Sequence, residues 1–316
     1  MKSPLVSIII PTHNRPELLL RAVQSAVNQT YQNTEIIVVD DIGNVPIENL
    51  KKISDKIQYI QIPETFWMSK NRNAGILIAQ GKYIAWLDDD DIWFDNYLND
   101  LIPIMESDES IGLACSNGYM INKLTETPTR LIFPHLHKEM KGRLFIQTIW
   151  DCFTLPSLMI TRKNIFDVVG VYRDIRGEDL DIIMRISAYA NMYYTPKLYG
   201  TWFRKLNNGS ASEYMQSTLC NRLEILIPII QCLTEIQNES KIKLLLSEKL
   251  TLYFQIYFYN CYIIAIHFMF KSEKRYKILK YGILKYPLLS FITLLAPLCL
   301  NKTVRDFGQK IKRELI

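Results

Sequence analysis

A short apolar run that breaks into four consecutive carboxylates constrains this chain more than any other stretch. Residues 81–91 read Gly-Lys-Tyr-Ile-Ala-Trp-Leu-Asp-Asp-Asp-Asp. Residues 82–88 suit one buried strand, and Gly81 ends whatever helix precedes it. The acids then fall at the strand's C-terminal end, the edge where open α/β sheets bind ligands. Hard oxygen donors at that edge suit a divalent cation carrying phosphates. A solvated acidic turn capping the next helix is the plainer reading, since Asp favours N-caps and first turns. Four adjacent like charges repel one another, which that plainer reading leaves unexplained.

The first sixty residues supply the company this strand needs. Residues 5–10, Leu-Val-Ser-Ile-Ile-Ile, are nearly all apolar and β-branched, the pattern of a central parallel strand buried on both faces. They end in Pro11-Thr12-His13-Asn14-Arg15-Pro16. Asn14 and Pro16 are helix start signals, followed by apolar residues at Leu18, Leu19, Ala22, Val23, Ala26 and Val27. A second strand at 35–39 is closed by Asp40-Asp41, so carboxylates again sit just past a strand. A helix at 46–53 and a strand at 57–62 complete a βαβαβ pattern, which predicts a doubly wound sheet. Neither Gly-x-Gly-x-x-Gly nor Gly-x-x-x-x-Gly-Lys-Ser/Thr follows the first strand, which argues against a dinucleotide enzyme and a P-loop NTPase. Instead Ser69-Lys70-Asn71-Arg72-Asn73-Ala74-Gly75 opens a helix expected to pack Ile76, Leu77 and Ala79. Lys70 and Arg72 near its N-terminus either hold a diphosphate or form an exposed basic first turn.

Beyond the acidic run the pattern predicts a helix at 94–107 and a strand at 111–116. Asp91 has no clearer task than starting that helix. Residues 124–141 lack periodicity and read as an acceptor-side loop, with His135 and His137 as surface histidines rather than metal ligands. A strand at 157–162 leads into a helix at 163–169. Glu178 and Asp179 then open a helix whose apolar face is Leu180, Ile183, Met184 and Ile186, a place that capping alone would explain. Two short strands follow at 192–195 and 198–202, and Arg204 begins a polar loop.

Taken together, residues 6–15, Val38-Val39-Asp40-Asp41, Arg72-Asn73-Ala74-Gly75 and Leu87-Asp88-Asp89-Asp90-Asp91 resemble, in order and spacing, the nucleotide-sugar half of family 2 glycosyltransferases. The resemblance implies a GT-A type doubly wound mixed sheet flanked by helices, followed by a C-terminal helical region. It places Pro11, Thr12, Asn14, Arg15 and Asp41 on the donor side, Arg72 near base and phosphates, and Asp88 and Asp89 near the ribose and sugar. Asp90, with Asp88, would bind Mg²⁺ or Mn²⁺. Glu178-Asp179 matches the family's second signature, which makes Asp179 the general base and Glu178 its donor-side neighbour. Arg204 stands where such enzymes have a loop touching the diphosphate. Two departures stand out: Ile42-Gly43-Asn44 replaces the usual Gly-Ser, and the metal motif is a four-acid run. The implied reaction is inverting transfer of a sugar from a nucleoside diphosphate, by default UDP, to a hydroxyl of a glycan or lipid-linked acceptor. A non-catalytic nucleotide-sugar-binding scaffold is the alternative; a nucleotidyltransferase is disfavoured by the missing Gly-rich loop.

These readings divide the chain into a catalytic domain at 1–212, with a nucleotide-sugar half to about 120, and a helical tail at 213–316. The formal charge of +5 is unevenly placed: from Lys241 onward 14 Lys and Arg face 4 Asp and Glu, so the tail is strongly basic and the body acidic. That asymmetry points to a membrane surface or an acidic partner, not nucleic acid. Residues 251–270 lack formal charge over 20 positions, yet Gln255, Asn260, His267 and four tyrosines interrupt them. Peripheral attachment by basic amphipathic helices is the leading reading, ahead of a packed or oligomerising domain and a true span. Six scattered cysteines and no long apolar N-terminal region suggest a reducing compartment and the cytoplasmic face of the membrane. The full chain is expected to sediment with anionic vesicles at low salt and to leave them at high salt. Staying in the supernatant at low salt without detergent would overturn the membrane reading.

Overall fold

The structure, a computed structural model, describes residues 3–41, 45, 47–63, 68–122, 127–203, 219–239, 242, 244–245, 247–252 and 255–256. In chain order its first half comprises β1 (Val6–Thr12), α1 (Pro16–Val27), β2 (Thr34–Asp40), α2 (Ile47–Ile53), β3 (Ile57–Gln61), α3 (Met68–Ile78), β4 (Tyr83–Trp86), β5 (Ile92–Trp93) and α4 (Tyr97–Ser107). There follow β6 (Ile111–Ile121), β7 (Arg130–Leu131), β8 (Met140–Gly142), α5 (Phe145–Trp150), β9 (Met159–Arg162), α6 (Ile165–Val169), α7 (Glu178–Tyr189), β10 (Asn191–Phe203) and α8 (Leu219–Asn238).

β1 is buried along its whole length, as its Val and Ile content requires. It pairs in parallel with β2 on one side and β4 on the other, with Thr12 opposite Asp40 and Ile9 opposite Trp86. β3 adds a parallel edge strand to β2. Beyond β4 the sheet turns mixed: β9 runs antiparallel to both β4 and β6, and β10 runs parallel to β6. The full order is β3-β2-β1-β4-β9-β6-β10-β5, with β7 on β6 and β8 on β10. This is the mixed α/β sheet the sequence predicts.

Several local expectations shift for physical reasons. Asn14 does not cap α1; it takes a left-handed backbone with φ 53°, which Asn tolerates, and Arg15 occupies the cap position. Asp91 does not start a helix, because Ile92 and Trp93 pair antiparallel with Thr201 and Gly200 before α4 begins. β6 runs on past Ser116 because Asn117 satisfies its amide inside the sheet, accepting from Phe133 N–H (3.1 Å) and donating to Phe133 O (3.0 Å). The two strands expected near 192–202 are one, bulged on either side of Leu198, since Pro196 has no N–H for a continuous ladder. The region expected as a loop carries β7 and β8. Leu77, expected in the core, is 84% exposed, while Ile76 and Ala79 are buried.

The chain divides into two compact units. One, Met1–Leu144 with Phe153–Tyr214, holds the sheet; the other, Phe145–Cys152 with Met215–Ile316, holds α5 and α8. Within the second unit Gln255 Nε2 donates to Ile149 O at 3.5 Å, and Ile230, Cys232, Leu233 and Leu252 are fully buried. Arg204, Ile42-Gly43-Asn44 and the apolar and basic tail segments past Ile256 lie outside the described residues. No described helix is long and apolar enough to cross a membrane.

Two glycines bring α3 and the start of β4 close to β1. A Cβ on Gly75 would lie 2.5 Å from Ile9 Cγ2, and one on Gly81 would lie 2.6 Å from the backbone N of Ser7. Gly81 therefore does more than end α3: its N–H also donates to Ser7 Oγ at 2.8 Å. Replacing Gly75 by Ala overpacks this contact and is expected to cost about 1–3 kcal/mol, read as a lowered urea midpoint at unchanged slope.

Candidate functional site

The parallel register carries Thr12, Asp40-Asp41 and Asp88 to one edge of the sheet. There the acidic run is sorted by its partners. Asp89 points inward: Thr12 Oγ1 donates to its Oδ2 (2.7 Å) and Arg15 Nη1 to its Oδ1 (3.2 Å), leaving the side chain 4% exposed. Asp91 is buried too, its Oδ1 accepting the Phe203 N–H at 2.8 Å and its own N–H donating to Asp88 O at 3.1 Å. Only Asp88 and Asp90 keep partly open side chains, 26% and 22% exposed. The Asp88 N–H donates to Ser157 Oγ at 3.0 Å, while Arg15 Nη1 donates to Asp90 Oδ2 at 2.8 Å. On the neighbouring strand end His13 Nδ1 and Asp41 Oδ1 lie 2.7 Å apart. Pro11 lies opposite Val39, one residue before the end of β1.

A second carboxylate group arrives from α7. Gly177 precedes it in a left-handed conformation, φ 75°, which swings Glu178 and Asp179 into the first turn. Arg72 bridges the two groups: Nη2 donates to Asp88 Oδ1 at 2.9 Å and Nη1 to Glu178 Oε1 at 2.7 Å. Its guanidinium sits 5.4 Å from the centre of the Tyr172 ring. Asp179 is half-buried, with Oδ1 accepting the Leu180 N–H at 2.9 Å.

Burial and mutual repulsion dominate the electrostatics. The Asp90 carboxyl is pushed up to about 7, first by burial and then by Asp89 and Asp88, with Arg15 opposing. Burial raises Asp89 and Asp91 as well, Arg15 opposing for Asp89 and the charges of Asp90 and Asp88 adding for Asp91. Glu178 is raised by burial in spite of its bond to Arg72. More carboxylates than guanidiniums thus meet at this edge, and a cation would relieve the excess. No cage of three or more His, Cys, Asp or Glu side chains exists among the described residues. The partly open pair Asp88 and Asp90 suits an ion that completes its shell with phosphate oxygens and water.

Sequence reasoning found the acids, Thr12, Arg15, Arg72 and Glu178, and the structure brings these together. It missed Ser157, Tyr172 and Asn73, each of which acts through a partner far along the chain. Asn73 stands within the Arg72-Asn73-Ala74-Gly75 set and Ser157 at the start of an expected strand, but neither place tells which partner the side chain meets.

The architecture is of the GT-A type. It is similar to S. aureus TarS 1-349 in complex with UDP-GlcNAc, with a TM-score of 0.64 and 17% identity over 88% of this chain and 80% of that one. It is also similar to the mannosyltransferase PcManGT from Pyrobaculum calidifontis in complex with GDP-Man and Mn²⁺, with a TM-score of 0.57 and 13% identity over 98% of this chain and 84% of that one. At such identities the likeness speaks for the fold alone. The family model described as glycosyl transferase family 2 matches residues 7–170, more than half of the chain, and the chain belongs to that family. Among curated relatives, an uncharacterized glycosyltransferase of Rickettsia prowazekii is 28% identical over 208 residues, 61% of this chain and 61% of that protein. The UDP-Glc:alpha-D-GlcNAc-diphosphoundecaprenol beta-1,3-glucosyltransferase of Escherichia coli is 37% identical over 118 residues, 37% of this chain and 47% of that protein. The chain thus spans about three fifths of the Rickettsia relative's length. Thr12→Val removes a donor to the buried Asp89 and is expected to cost about 1–3 kcal/mol, measured by urea unfolding.

Proposed function

We propose that this chain transfers a sugar from a nucleoside-diphosphate donor, a UDP-sugar, to a hydroxyl of a glycan or lipid-linked saccharide, with inversion at the anomeric carbon. One observation carries the reading: Asp88 at the strand end and Glu178 at the start of α7 are joined by a single guanidinium, that of Arg72. Two similar proteins support the donor and acceptor classes, one being in complex with UDP-GlcNAc and the other named for transfer from UDP-Glc to a diphosphoundecaprenol-linked sugar.

Asp179 removes the proton from the acceptor hydroxyl, whose oxygen attacks the anomeric carbon as the bond to the diphosphate oxygen breaks. Glu178 stays tied to Arg72 beside it. The ends of β1 and β2, with Pro11, Thr12, Asn14 and Asp41, receive the nucleotide. Arg15 holds Asp89 inward and Asp90 outward, so that Asp90 and Asp88 would bind Mg²⁺ or Mn²⁺. Such an ion, when bound, supplies positive charge against the departing diphosphate. No covalent nucleophile on the protein is needed. Residues 1–212 would form the catalytic part, and the basic tail at 213–316 would hold it at the cytoplasmic membrane face, near a lipid-linked acceptor.

Release of UDP in the presence of acceptor and Mn²⁺ tests this scheme. Asp179→Asn is expected to lower kcat by about 10²–10⁴-fold without changing the melting temperature. Asp90→Ala and EDTA are each expected to abolish transfer. Full activity in either variant overturns the assignments.

A further inference from the structure

The fourth acid of the run is turned away from the open edge and into the fold. Asp91 is 2% exposed, and its Oδ1 accepts the Phe203 N–H at 2.8 Å. A second partner comes from the turn Pro156–Leu158 that leads into β9, all three residues of which are buried. There the Ser157 hydroxyl accepts the Asp88 N–H at 3.0 Å and donates to the Asp91 carboxylate. One hydroxyl thus holds the first acid of the run by its backbone and the last by its side chain. The Asp91 N–H closes the same turn by donating to Asp88 O at 3.1 Å.

Ser157 is itself anchored from the other side. Its carbonyl accepts the Trp93 indole N–H at 2.5 Å, and Trp93 belongs to β5, which pairs antiparallel with β10. Two glycines make room for this seat: a Cβ on Gly118 of β6 would lie 2.8 Å from Leu158 Cδ1, and one on Gly200 of β10 would lie 2.5 Å from Ile92 O. We infer that Ser157 and Asp91 are positioning residues: together they fasten both ends of the turn at 88–91 to the sheet, and so set the spacing and direction of the open carboxylates of Asp88 and Asp90. The inference rests on the proposed cation pair, Asp88 and Asp90, for its consequence, but the tie itself is a property of the fold. Groups that hold a ligand from behind matter nearly as much as the ligand, because a cation's affinity depends on how its donors are aimed before it arrives.

The test uses the full chain with Ser157→Ala, Ser157→Thr and Asp91→Ala. Three readouts are taken: Mn²⁺ affinity at saturating UDP by calorimetry, UDP affinity in EDTA, and amide exchange along the chain. Ser157→Ala is expected to weaken Mn²⁺ binding about 10–100-fold, the effect of removing a group that orients a metal ligand, with UDP affinity in EDTA unchanged. Exchange at 88–91 rises while that of β1 stays low. Tyr172, whose N–H is held by Asn73 Oδ1 (2.9 Å) and whose O accepts Asn73 Nδ2 (2.7 Å), keeps its protection and serves as the control. Ser157→Thr keeps the hydroxyl and restores both Mn²⁺ affinity and protection at 88–91. Asp91→Ala gives the pattern of Ser157→Ala; should it fail to fold, the two Ser157 variants still decide. The inference fails if Mn²⁺ affinity in Ser157→Ala matches the wild type, or if Ser157→Thr loses as much as Ser157→Ala. It fails equally if UDP affinity in EDTA falls and exchange rises throughout the sheet, which marks a general structural role. Should the wild-type chain bind no Mn²⁺ with UDP, the proposed cation pair falls, and exchange at 88–91 in Ser157→Ala still decides whether the tie exists.

Discussion

Too many carboxylates converge on one edge of the sheet for the charges present to balance, and most of the site's construction answers that excess. Burying a carboxylate is costly unless it is paired and hydrogen-bonded. Asp89 meets this demand with Thr12 and Arg15, Asp91 with the Phe203 backbone, and Glu178 and Asp88 with opposite ends of Arg72. Asp90 pairs with Arg15, yet burial first, and then the charges of Asp89 and Asp88, still push its carboxyl up. An edge left short of positive charge is receptive to a cation and to what the cation carries.

The scaffold behind this edge works by bringing backbones unusually close. Gly75 and Gly81 let α3 and β4 sit against β1 without a clash. A buried acid, Glu35, secures the turn between them: its Oε1 accepts Ser7 Oγ at 2.6 Å, Gln80 N–H at 2.6 Å and Gly81 N–H at 3.2 Å. With that turn held, Arg72 on α3 and Asp88 after β4 meet at hydrogen-bonding distance. Farther along, Arg185 ties the α6–α7 segment together, donating through Nη2 to Asp181 Oδ2 (2.6 Å) and to Val171 O (2.9 Å). Tyr172 is thus fixed from both sides.

Much of this was legible in advance where the signal is periodic. β1, β2 and β4 announce themselves as β-branched or apolar runs, α1 by its spacing, and the placing of acids after strands by simple adjacency. The errors share a cause. Asp91 and Leu77 depend on partners outside any local window, such as Phe203 for Asp91 at 112 positions away. Propensity cannot say whether an apolar residue on a basic, weakly amphipathic helix faces core or solvent, and α3 turned Leu77 outward.

The sequence by itself determined that a doubly wound sheet would form and that its strand ends would carry acids, because strand burial and alternation are written in adjacent residues. Through the resemblance it also pointed to the family to which the chain belongs. Which acids of the run face inward, and which stay open, was decided only by tertiary structure. Four identical side chains in a row differ solely in what lies opposite them: Arg72, Thr12 with Arg15, Arg15 alone, or the Phe203 backbone. Those neighbours come from β1 and the turn after it, from α3 and from β10, and the chain brings them together only once it has folded.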